Sequence, residues 1–401
     1  MTLLALSHSE PSEPTSLITP MILAMAEIPN ITIPAELLPV DGRFGAGPSK
    51  VRTEQIDAVV AASKTYMGTS HRQKPVKSQV ARLRAGISQL FSLPEGYEVV
   101  LGNGGSTAFW EVATFGLIRD RGQFLTFGEF GSKFAGSAKS APFLGEQSVI
   151  KSEPGDAPVF APEAGIDVYC TPHNETSTGV AIAPYRPAGI DDDALVIIDA
   201  TSGAGGLAVD ISQVDVYYFS PQKCFASDGG LFIAIMSPKA IARAEEIKAS
   251  GRYIPAFLDL MTAIENSRLD QTYNTPALAT ILMTAEQADW YNNNGGLDWC
   301  VSRTAESSSA IYDWAEASSF ATPYVVDPAK RSGVVATVDF DDAIDATVIA
   351  KVLRANGIVD TEPYRKLGRN QLRISIFPAV DPSDVRQLLK SIDFVVAEIT
   401  K

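Results

Sequence analysis

One lysine of this 401-residue chain stands just beyond a predicted strand, in a loop of small and polar residues. Lys223 lies in Ser220–Phe225, directly after the β-rich run 214–219. A lysine amine becomes a nucleophile toward carbonyl compounds when its surroundings lower its pKa. Taken alone, a lysine in this position is more often a solvated surface residue. The neighbouring motifs must therefore decide between the two interpretations.

An acid and a glycine-rich segment also follow predicted strands. Asp199 ends the apolar run 194–198, where a carboxylate can pair with a protonated pyridine nitrogen. The segment Gly102–Thr107 lies between a predicted strand and a predicted helix, a place where backbone amides and the helix N-terminus favour a phosphate. It lacks the third glycine of a dinucleotide fingerprint and the lysine of a P-loop. Acid, lysine and phosphate site together are typical of a pyridoxal phosphate enzyme.

Strands and helices must alternate to bring these residues together. Apolar runs typical of buried strands are found at 97–101, 124–127, 166–170, 194–198, 214–219 and 231–236. A helix is predicted at 108–117, after the glycine-rich segment. Buried strands separated by helical segments predict an α/β fold with a mostly parallel sheet.

The last hundred residues have a different pattern. After the turn signal Asn292–Gly296, we predict helices at 297–314 and 346–356, strands at 334–340 and 372–377, and a final helix after the N-cap Asp381. Gly357 is expected to end the second of these helices in a left-handed conformation. We therefore expect a large domain at 43–291 and a smaller C-terminal α+β domain at 292–401.

Composition limits the possible partners and the cellular location. The formal charge is −14 and hydrophobic residues make up 45% of the chain, which argues against nucleic-acid or anionic-membrane binding and against general disorder. Three scattered cysteines fit a reducing cytoplasm. Residues 1–42 contain no lysine or arginine and resemble no targeting signal, so we expect a partly disordered extension there, with Met25 as an alternative start.

From residue 43 onward, the chain resembles the class V, fold-type I pyridoxal-phosphate aminotransferases, and among them the actinobacterial-type branch of the phosphoserine aminotransferase family. Eight motifs in the family's order carry the resemblance: FGAGPSKV (44–51), GTSHR (68–72), GNGGSTAFW (102–110), HNETSTGV (173–180), IIDATSG (197–203), SPQKCFASDGG (220–230), TYNTP (272–276) and LRISIFPAV (372–380). It implies a fold-type I large domain and a small C-terminal domain.

The resemblance also implies residue roles around pyridoxal 5′-phosphate. Lys223 would carry the cofactor as a Schiff base and move a proton during the reaction. Asp199 would keep the pyridine nitrogen protonated, and Thr176 would hydrogen-bond the 3′ oxygen. Phe130 stands where the family often has a tryptophan stacked on the ring, and it can still stack with a smaller area. Trp110, at helical spacing from the glycine-rich segment, is expected to be a core residue.

Further roles concern the phosphate and the partner subunit. The resemblance implies that the backbone amides of Gly105 and Ser106, with Gln222, bind the cofactor phosphate. Asn274 and Thr275 would complete that site from the other subunit, which makes a homodimer with shared active sites necessary for activity. No metal is implied.

The resemblance assigns the substrate contacts to three basic residues. Arg373 would clamp the substrate α-carboxylate with a bidentate pair, and His71 and Arg72 would bind the substrate phosphate or distal carboxylate. The chain departs from the family at Ser106, where many members have arginine. Four residues are candidates to supply the missing charge: Arg43, Arg365, Lys366 and Arg369.

The implied reaction is reversible transamination of 3-phosphooxypyruvate with glutamate, giving O-phospho-L-serine and 2-oxoglutarate in serine biosynthesis. A role with 4-phosphooxy-L-threonine in pyridoxine biosynthesis is also compatible with it. The alternatives are another class V enzyme, such as an alanine–glyoxylate aminotransferase, or a non-catalytic binding module. A cysteine desulfurase is disfavoured because Gln222, rather than histidine, precedes the lysine.

Overall fold

The structure is a computed structural model and describes residues 29–401. The helices are α1 (Thr53–Ala61), α2 (Lys74–Leu90), α3 (Ser106–Gly116), α4 (Glu129–Ser140), α5 (Pro238–Ala249), α6 (Leu260–Arg268), α7 (Leu278–Asn293), α8 (Gly296–Ala317), α9 (Ala346–Ala355) and α10 (Pro382–Ile399). The strands are β1 (Glu98–Gly104), β2 (Gly122–Thr126), β3 (Ser148–Lys151), β4 (Val168–Pro172), β5 (Asn174–Glu175), β6 (Val180–Ala181), β7 (Leu195–Asp199), β8 (Val216–Phe219), β9 (Gly230–Met236), β10 (Ala321–Pro323), β11 (Val335–Phe340) and β12 (Gln371–Ser375).

A seven-stranded sheet forms the centre of the large domain, in the order β1-β9-β8-β7-β4-β2-β3. β9 pairs antiparallel with β1 and β8, and the remaining pairs are parallel. Both faces are covered: Val196 and Ile198 of β7 pack into one apolar core, and Leu195 and Ile197 pack into another. Alternate residues of a strand point to opposite faces, so a strand buried on both sides has a continuous apolar sequence. The mostly parallel α/β fold predicted from the sequence is confirmed.

The register of the parallel strands brings their polar ends together. Asp199, at the end of β7, pairs with Pro172 of β4 and Tyr218 of β8. Lys223 follows β8 by four residues. In sheets of this kind, ligands bind in the crevice outside the carboxyl ends of the strands.

The glycine-rich segment differs from its prediction. Gly102–Gly104 belongs to β1, so only Gly105 separates the strand from α3. Gly102 pairs with Phe232 of β9, and a Cβ at position 102 would lie 2.0 Å from the Phe232 ring. The glycine therefore makes room for an aromatic ring, whereas the sequence pattern indicates a turn.

The small domain contains the antiparallel sheet β10-β11-β12, which is contacted by α8 and α9, and α10 packs against both of these helices. The local signals for these helices are confirmed: Gly357 has φ +84°, and the side chain of Asp381 accepts a hydrogen bond from the Ser383 amide at the start of α10. α8 begins against the large-domain core at Cys300 and ends in the small-domain core at Ile311. The boundary predicted at residues 291–292 stays a prediction.

The chain before residue 43 packs on the small domain where the structure describes it. Ile33 is 2% exposed, and its amide donates to Asn356 Oδ1 at 2.9 Å. The Leu37 carbonyl accepts from Ser391 of α10. Residues 29–42 are therefore anchored, and the predicted disorder and alternative start lie in residues 1–28, outside the described residues. Within 29–401, no helix is both long and apolar enough to cross a membrane.

Candidate active site

A cavity of about 540 Å³ lies at the carboxyl ends of the parallel strands, against the N-terminus of α3. It is lined by seven of the residues predicted to bind the cofactor: Gly105, Ser106, Phe130, Thr176, Asp199, Gln222 and Lys223. The structure therefore brings the predicted lysine, acid and phosphate loop together within one chain. The other predicted residues lie elsewhere.

Lys223 is partly buried and lines this cavity. Its Nζ donates to the carbonyl oxygen of Ala46, in the loop before α1. Gly47 has φ +132°, and a Cβ there would lie 2.0 Å from Nζ, so glycine is required for the lysine to fit. Burial, followed by the positive charge of Arg373, lowers the pKa of Lys223 to about 8.

This pKa leads to a testable pH dependence. In the full chain freed of cofactor, the rate of reaction with pyridoxal should rise with pH through about 8 and then level off, because only the neutral amine attacks a carbonyl. Arg373→Leu should move the midpoint upward, since it removes a like charge that disfavours the ammonium form. Stopped-flow absorbance across pH 6 to 11 measures both profiles. A wild-type midpoint near the ordinary lysine value, about 10.4, would contradict this account.

Asp199 accepts hydrogen bonds at both carboxylate oxygens. Trp110 Nε1 and the Tyr218 hydroxyl donate to Oδ2 at 3.0 and 2.9 Å. The amide of Thr201 donates to Oδ1 at 3.0 Å, and the Thr201 hydroxyl also contacts Oδ1. These donors fix the orientation of the carboxylate.

Trp110 therefore has a polar role that the sequence analysis missed. Its ring packs in the core, as expected, but its indole nitrogen reaches Asp199 and the residue also lines the cavity. A buried indole usually finds a hydrogen-bond acceptor. That rule was the available signal, but helical spacing alone could not identify the partner.

The predicted phosphate site at Gly105 and Ser106 also differs in detail from the prediction. The amide of Ser106 donates to Ser220 Oγ at 2.7 Å, so it already has a partner within the chain. Gly105, Ser106 and Thr107 line the cavity where α3 begins, and the free amides of a helix N-terminus favour an anion. Gln222 Oε1 is buried without a hydrogen-bond partner in the described residues. The assignment of this loop and Gln222 to a phosphate stays a prediction.

Thr176 shares a hydroxyl partner with its neighbour Asn174. Thr176 Oγ1 and Asn174 Nδ2 contact Ser202 Oγ at 2.7 and 2.8 Å. All three residues line the cavity, and Asn174 Oδ1 is buried without a partner among residues 29–401. These polar side chains therefore line the same cavity as Asp199. Ser202 was not predicted, although it lies within the IIDATSG motif.

Phe130 is positioned by a buried carboxylate. Glu175 accepts hydrogen bonds from the amides of Phe130 and Gly131, at 3.1 and 3.0 Å, at the start of α4. Burial raises the pKa of Glu175 despite these donors. The Phe130 ring lies against the cavity and 6.3 Å from the Tyr364 ring. Its stacking on a cofactor ring stays a prediction.

Arg373 lines a second cavity, of about 420 Å³, which shares Gly47 with the first. Its guanidinium lies 5.5 Å from the centre of the Tyr364 ring, and Nη1 makes only a long contact of 3.4 Å with the Thr176 carbonyl. Nε is buried without a partner in the described part of the chain. The guanidinium therefore retains donors for an anion beside Lys223.

His71, Arg72, Asn274 and Thr275 form a separate group, which we call the loop cluster. His71 Nδ1 lies 3.3 Å from Thr275 Oγ1, and Arg72 contacts Gln271 Oε1 at 2.8 Å. No member of the loop cluster lines the cavity that holds Lys223 of the same chain. The four residues predicted to bind anions are thus adjacent, but they are not assembled with Lys223 within one chain.

The four basic residues considered as substitutes at Ser106 are not equivalent. Arg43, Lys366 and Arg369 are paired with Asp41, Glu129 and Asp339, respectively. Arg365 lines the second cavity with Arg373 and has no ion pair within residues 29–401. It is therefore the candidate whose charge remains available.

The residues present fit pyridoxal phosphate. The cavity is lined by a neutralisable amine, a hydrogen-bonded carboxylate, a helix N-terminus and an aromatic ring. An amine, an acid for the ring nitrogen and a phosphate-binding helix are the groups that this cofactor requires. Among residues 29–401 there is no cluster of side chains suited to a metal ion.

Comparison with known proteins points to the same chemistry. The Aminotransferase class-V family profile matches residues 163–388. Phosphoserine aminotransferase of Rhodococcus jostii (strain RHA1) is 64% identical over 92% of this chain and 98% of its own length. The putative phosphoserine aminotransferase of Mycobacterium sp. (strain KMS) is 61% identical over 94% and 100%.

The fold comparison agrees. The crystal structure of a phosphoserine aminotransferase from Cytophaga hutchinsonii matches with a TM-score of 0.80 at 23% identity, covering 88% of this chain and 98% of that one. At this identity the match supports the fold alone, whereas the relatives above 60% support the family. The chain therefore belongs to the phosphoserine aminotransferase family of the class V aminotransferases.

Proposed function

We propose that this protein catalyses the reversible transamination of 3-phosphooxypyruvate with glutamate, giving O-phospho-L-serine and 2-oxoglutarate in serine biosynthesis. The observation that carries the proposal is the assembly of Lys223 and Asp199 with the start of α3 in one cavity, in a chain 64% identical to a phosphoserine aminotransferase. Pyridoxal phosphate, when bound, supplies an electron sink for the carbanion formed at the substrate α-carbon. The chain's own residues supply position, charge and proton transfer.

Lys223 is the proton carrier of the proposed mechanism. Burial and the charge of Arg373 lower the pKa of its amine to about 8, so a larger fraction is neutral and able to accept a proton near neutral pH than for an ordinary lysine. Its contact with the Ala46 carbonyl holds Nζ in place. The side chain takes a proton from the α-carbon of the amino donor. In the second half of the reaction it gives a proton to the α-carbon of the newly formed amino acid.

Asp199 and Arg373 orient the cofactor ring and the substrate on which Lys223 acts. Asp199, fixed by donors from Trp110, Tyr218 and Thr201, is placed to stabilise a protonated ring nitrogen. Arg373 offers the bidentate fork that suits a carboxylate. Both amino-acid substrates carry an α-carboxylate, so one arginine can serve both halves of the reaction.

The loop cluster supports a homodimer with shared active sites. Its residues do not line the cavity of their own chain, and the same loop exposes Leu269 (58%) and Tyr273 (45%). Exposed apolar side chains beside polar anion-binding groups are typical of an interface. In this proposal, Asn274 and Thr275 reach the cofactor phosphate of the partner subunit, and His71 and Arg72 reach the substrate phosphate there.

Subunit complementation tests this arrangement. Lys223→Ala and Arg72→Ala chains, each nearly inactive with phosphoserine, should regain roughly one quarter of wild-type activity when mixed after mild denaturation and refolding. Half of the dimers are then hybrids, and each hybrid has one intact shared site. Lys223→Ala mixed with Lys223→Ala is the control. An inactive hybrid dimer, isolated with two affinity tags, would exclude a shared site.

Substrate charge gives a separate prediction. Arg72→Ala should lower kcat/KM for phosphoserine far more than for alanine, because truncating one partner of a buried charge pair typically costs about 2–5 kcal/mol. Arg373→Lys should lower both alike, since lysine cannot reproduce the fork. Steady-state kinetics with both amino acids measure the ratio. If Arg72→Ala lowered kcat/KM equally for phosphoserine and alanine, Arg72 would not bind the substrate phosphate. An activity of the alanine–glyoxylate type would then be favoured.

Two finer assignments belong to the same proposal. A role with 4-phosphooxy-L-threonine in pyridoxine biosynthesis is supported by the similar charge of that substrate. A cytoplasmic location is supported by three cysteines that are all free and buried.

A further inference from the structure

A chain of hydroxyl groups joins the carboxylate of Asp199 to the start of α3. Thr201 Oγ1 contacts Asp199 Oδ1 and lies 2.6 Å from Ser106 Oγ. Ser106 Oγ lies 3.0 Å from Ser220 Oγ, which is 3.1 Å from the carbonyl oxygen of Leu231. The hydroxyl chain therefore connects the two ends of the cavity, where the ring nitrogen and the phosphate are proposed to bind.

The number of protons in this chain is limited. Thr201 has one hydroxyl proton and two neighbouring acceptors, so it can donate to Asp199 or to Ser106, but not to both at once. When it donates to Asp199, its contact with Ser106 is a hydrogen bond only if Ser106 is the donor. When it donates to Ser106, the Ser106 proton is free for another acceptor and one lone pair of Asp199 Oδ1 is released.

The other donors to Asp199 do not have this choice. Trp110 Nε1 and the Thr201 amide are fixed N–H groups. The Tyr218 hydroxyl has no other acceptor within residues 29–401. With two donors at each oxygen, the lone pairs of the carboxylate are fully used. A ring nitrogen that pairs with Asp199 must displace one donor, and Thr201 is the one that loses no hydrogen bond by leaving.

We propose that the Thr201 hydroxyl couples the two ends of the cofactor site. A phosphate that accepts the Ser106 hydroxyl proton turns Thr201 toward Ser106 and frees Asp199 Oδ1 for the ring nitrogen. A ring nitrogen at Asp199 turns Thr201 in the same direction and frees the Ser106 proton for the phosphate. Each half of the ligand then strengthens binding of the other by the same factor. This inference rests on the proposed function, and it makes Thr201 a positioning residue.

The test separates the ligand into halves. The probes are pyridoxal, which lacks the phosphate, and inorganic phosphate, both added to the full chain freed of cofactor. Saturating phosphate should lower the wild-type Kd for pyridoxal by on the order of tenfold. Thr201→Val should reduce this gain to less than about twofold, because valine has no hydroxyl proton to share between Asp199 and Ser106. The charges of the site are the same in both proteins. Thr201→Ser should restore the gain.

Two further variants keep the test decisive. Ser106→Ala interrupts the chain at its other end and should also abolish the gain, which covers a Thr201→Val protein that fails to fold. Tyr218→Phe removes a donor to Oδ2, so it should change the affinity for pyridoxal and leave the phosphate gain intact. Absorbance titration measures each Kd.

The outcomes are distinguishable. A phosphate gain lost in Thr201→Val and Ser106→Ala but kept in Tyr218→Phe supports the coupling. An equal gain in wild type and Thr201→Val shows that simple attraction between the two ligands suffices, and it overturns the inference while leaving the proposed function standing. A wild-type chain that does not bind pyridoxal phosphate at all would overturn both.

Discussion

Lys223→Ala is expected to lower transamination by about four orders of magnitude, because it removes both the nucleophile and the proton carrier. The lysine is partly buried, its pKa is lowered to about 8, and it lines the same cavity as Asp199. The variant should still fold and keep the oligomeric state of the wild type, since alanine removes a polar group whose burial is costly. Steady-state assay and size-exclusion chromatography measure the two effects.

A matched control and a chemical label complete this test. Lys151→Ala changes an exposed lysine on β3 and should leave activity unchanged. Borohydride reduction of the wild-type holoenzyme followed by peptide mapping should place the pyridoxyl label on Lys223. A label on another lysine, or activity retained by Lys223→Ala, would show that this residue does not carry the cofactor.

Asp199→Asn is expected to leave pyridoxal phosphate bound but to lower kcat at least about 100-fold. A neutral pyridine is a poor electron sink, and losing about 3 kcal/mol of transition-state stabilisation costs roughly two factors of ten. The amide adds a second problem. Its NH₂ group would face either the Trp110 indole N–H or the Thr201 amide N–H, and neither of these groups can accept a hydrogen bond.

Turnover, cofactor affinity and stability should be measured together for this variant. Asp191→Asn, in the exposed loop before β7, is the control for loss of one negative charge. If Asp199→Asn kept near-normal turnover with the cofactor bound, pairing of Asp199 with the ring nitrogen would be wrong. If Asp191→Asn lowered turnover as much as Asp199→Asn, the loss would result from the change in net charge.

The sequence predicted the large-domain sheet because buried parallel strands have continuous apolar runs. The run at 194–198 leads directly to Asp199, and the run at 214–219 leads to the loop of Lys223. Such strand ends meet at one edge of a parallel sheet, so the proximity of the acid and the lysine follows from the pattern of the strands. The glycine-rich segment was partly misjudged, since Gly102 lies within β1 to accommodate Phe232.

The network around Asp199 could not be derived from spacing. Tyr218 is adjacent to Asp199 only because β7 and β8 pair in that register, and register is a tertiary property. Trp110 reaches the carboxylate from α3, which only Gly105 separates from β1. A buried tyrosine or tryptophan is expected to donate a hydrogen bond, but the sequence does not identify the acceptor.

The role of the loop cluster could not be derived from the sequence either, because it depends on quaternary structure. The resemblance assigned His71 and Arg72 to the substrate and Asn274 and Thr275 to a partner's phosphate site. Within the chain the four lie together, away from the cavity that holds Lys223. One sequence does not reveal which surface meets a second copy, so their role depends on an assembly that complementation must test.

The central claim is that this site transfers an amino group between glutamate and a phosphorylated keto acid. The most direct measurement is kcat/KM of the wild-type full chain with glutamate as donor and 3-phosphooxypyruvate, glyoxylate or pyruvate as acceptor. A preference for 3-phosphooxypyruvate of at least about 30-fold is expected, because a buried contact to the phosphate is worth about 2–5 kcal/mol. Comparable or better turnover with glyoxylate or pyruvate would contradict it.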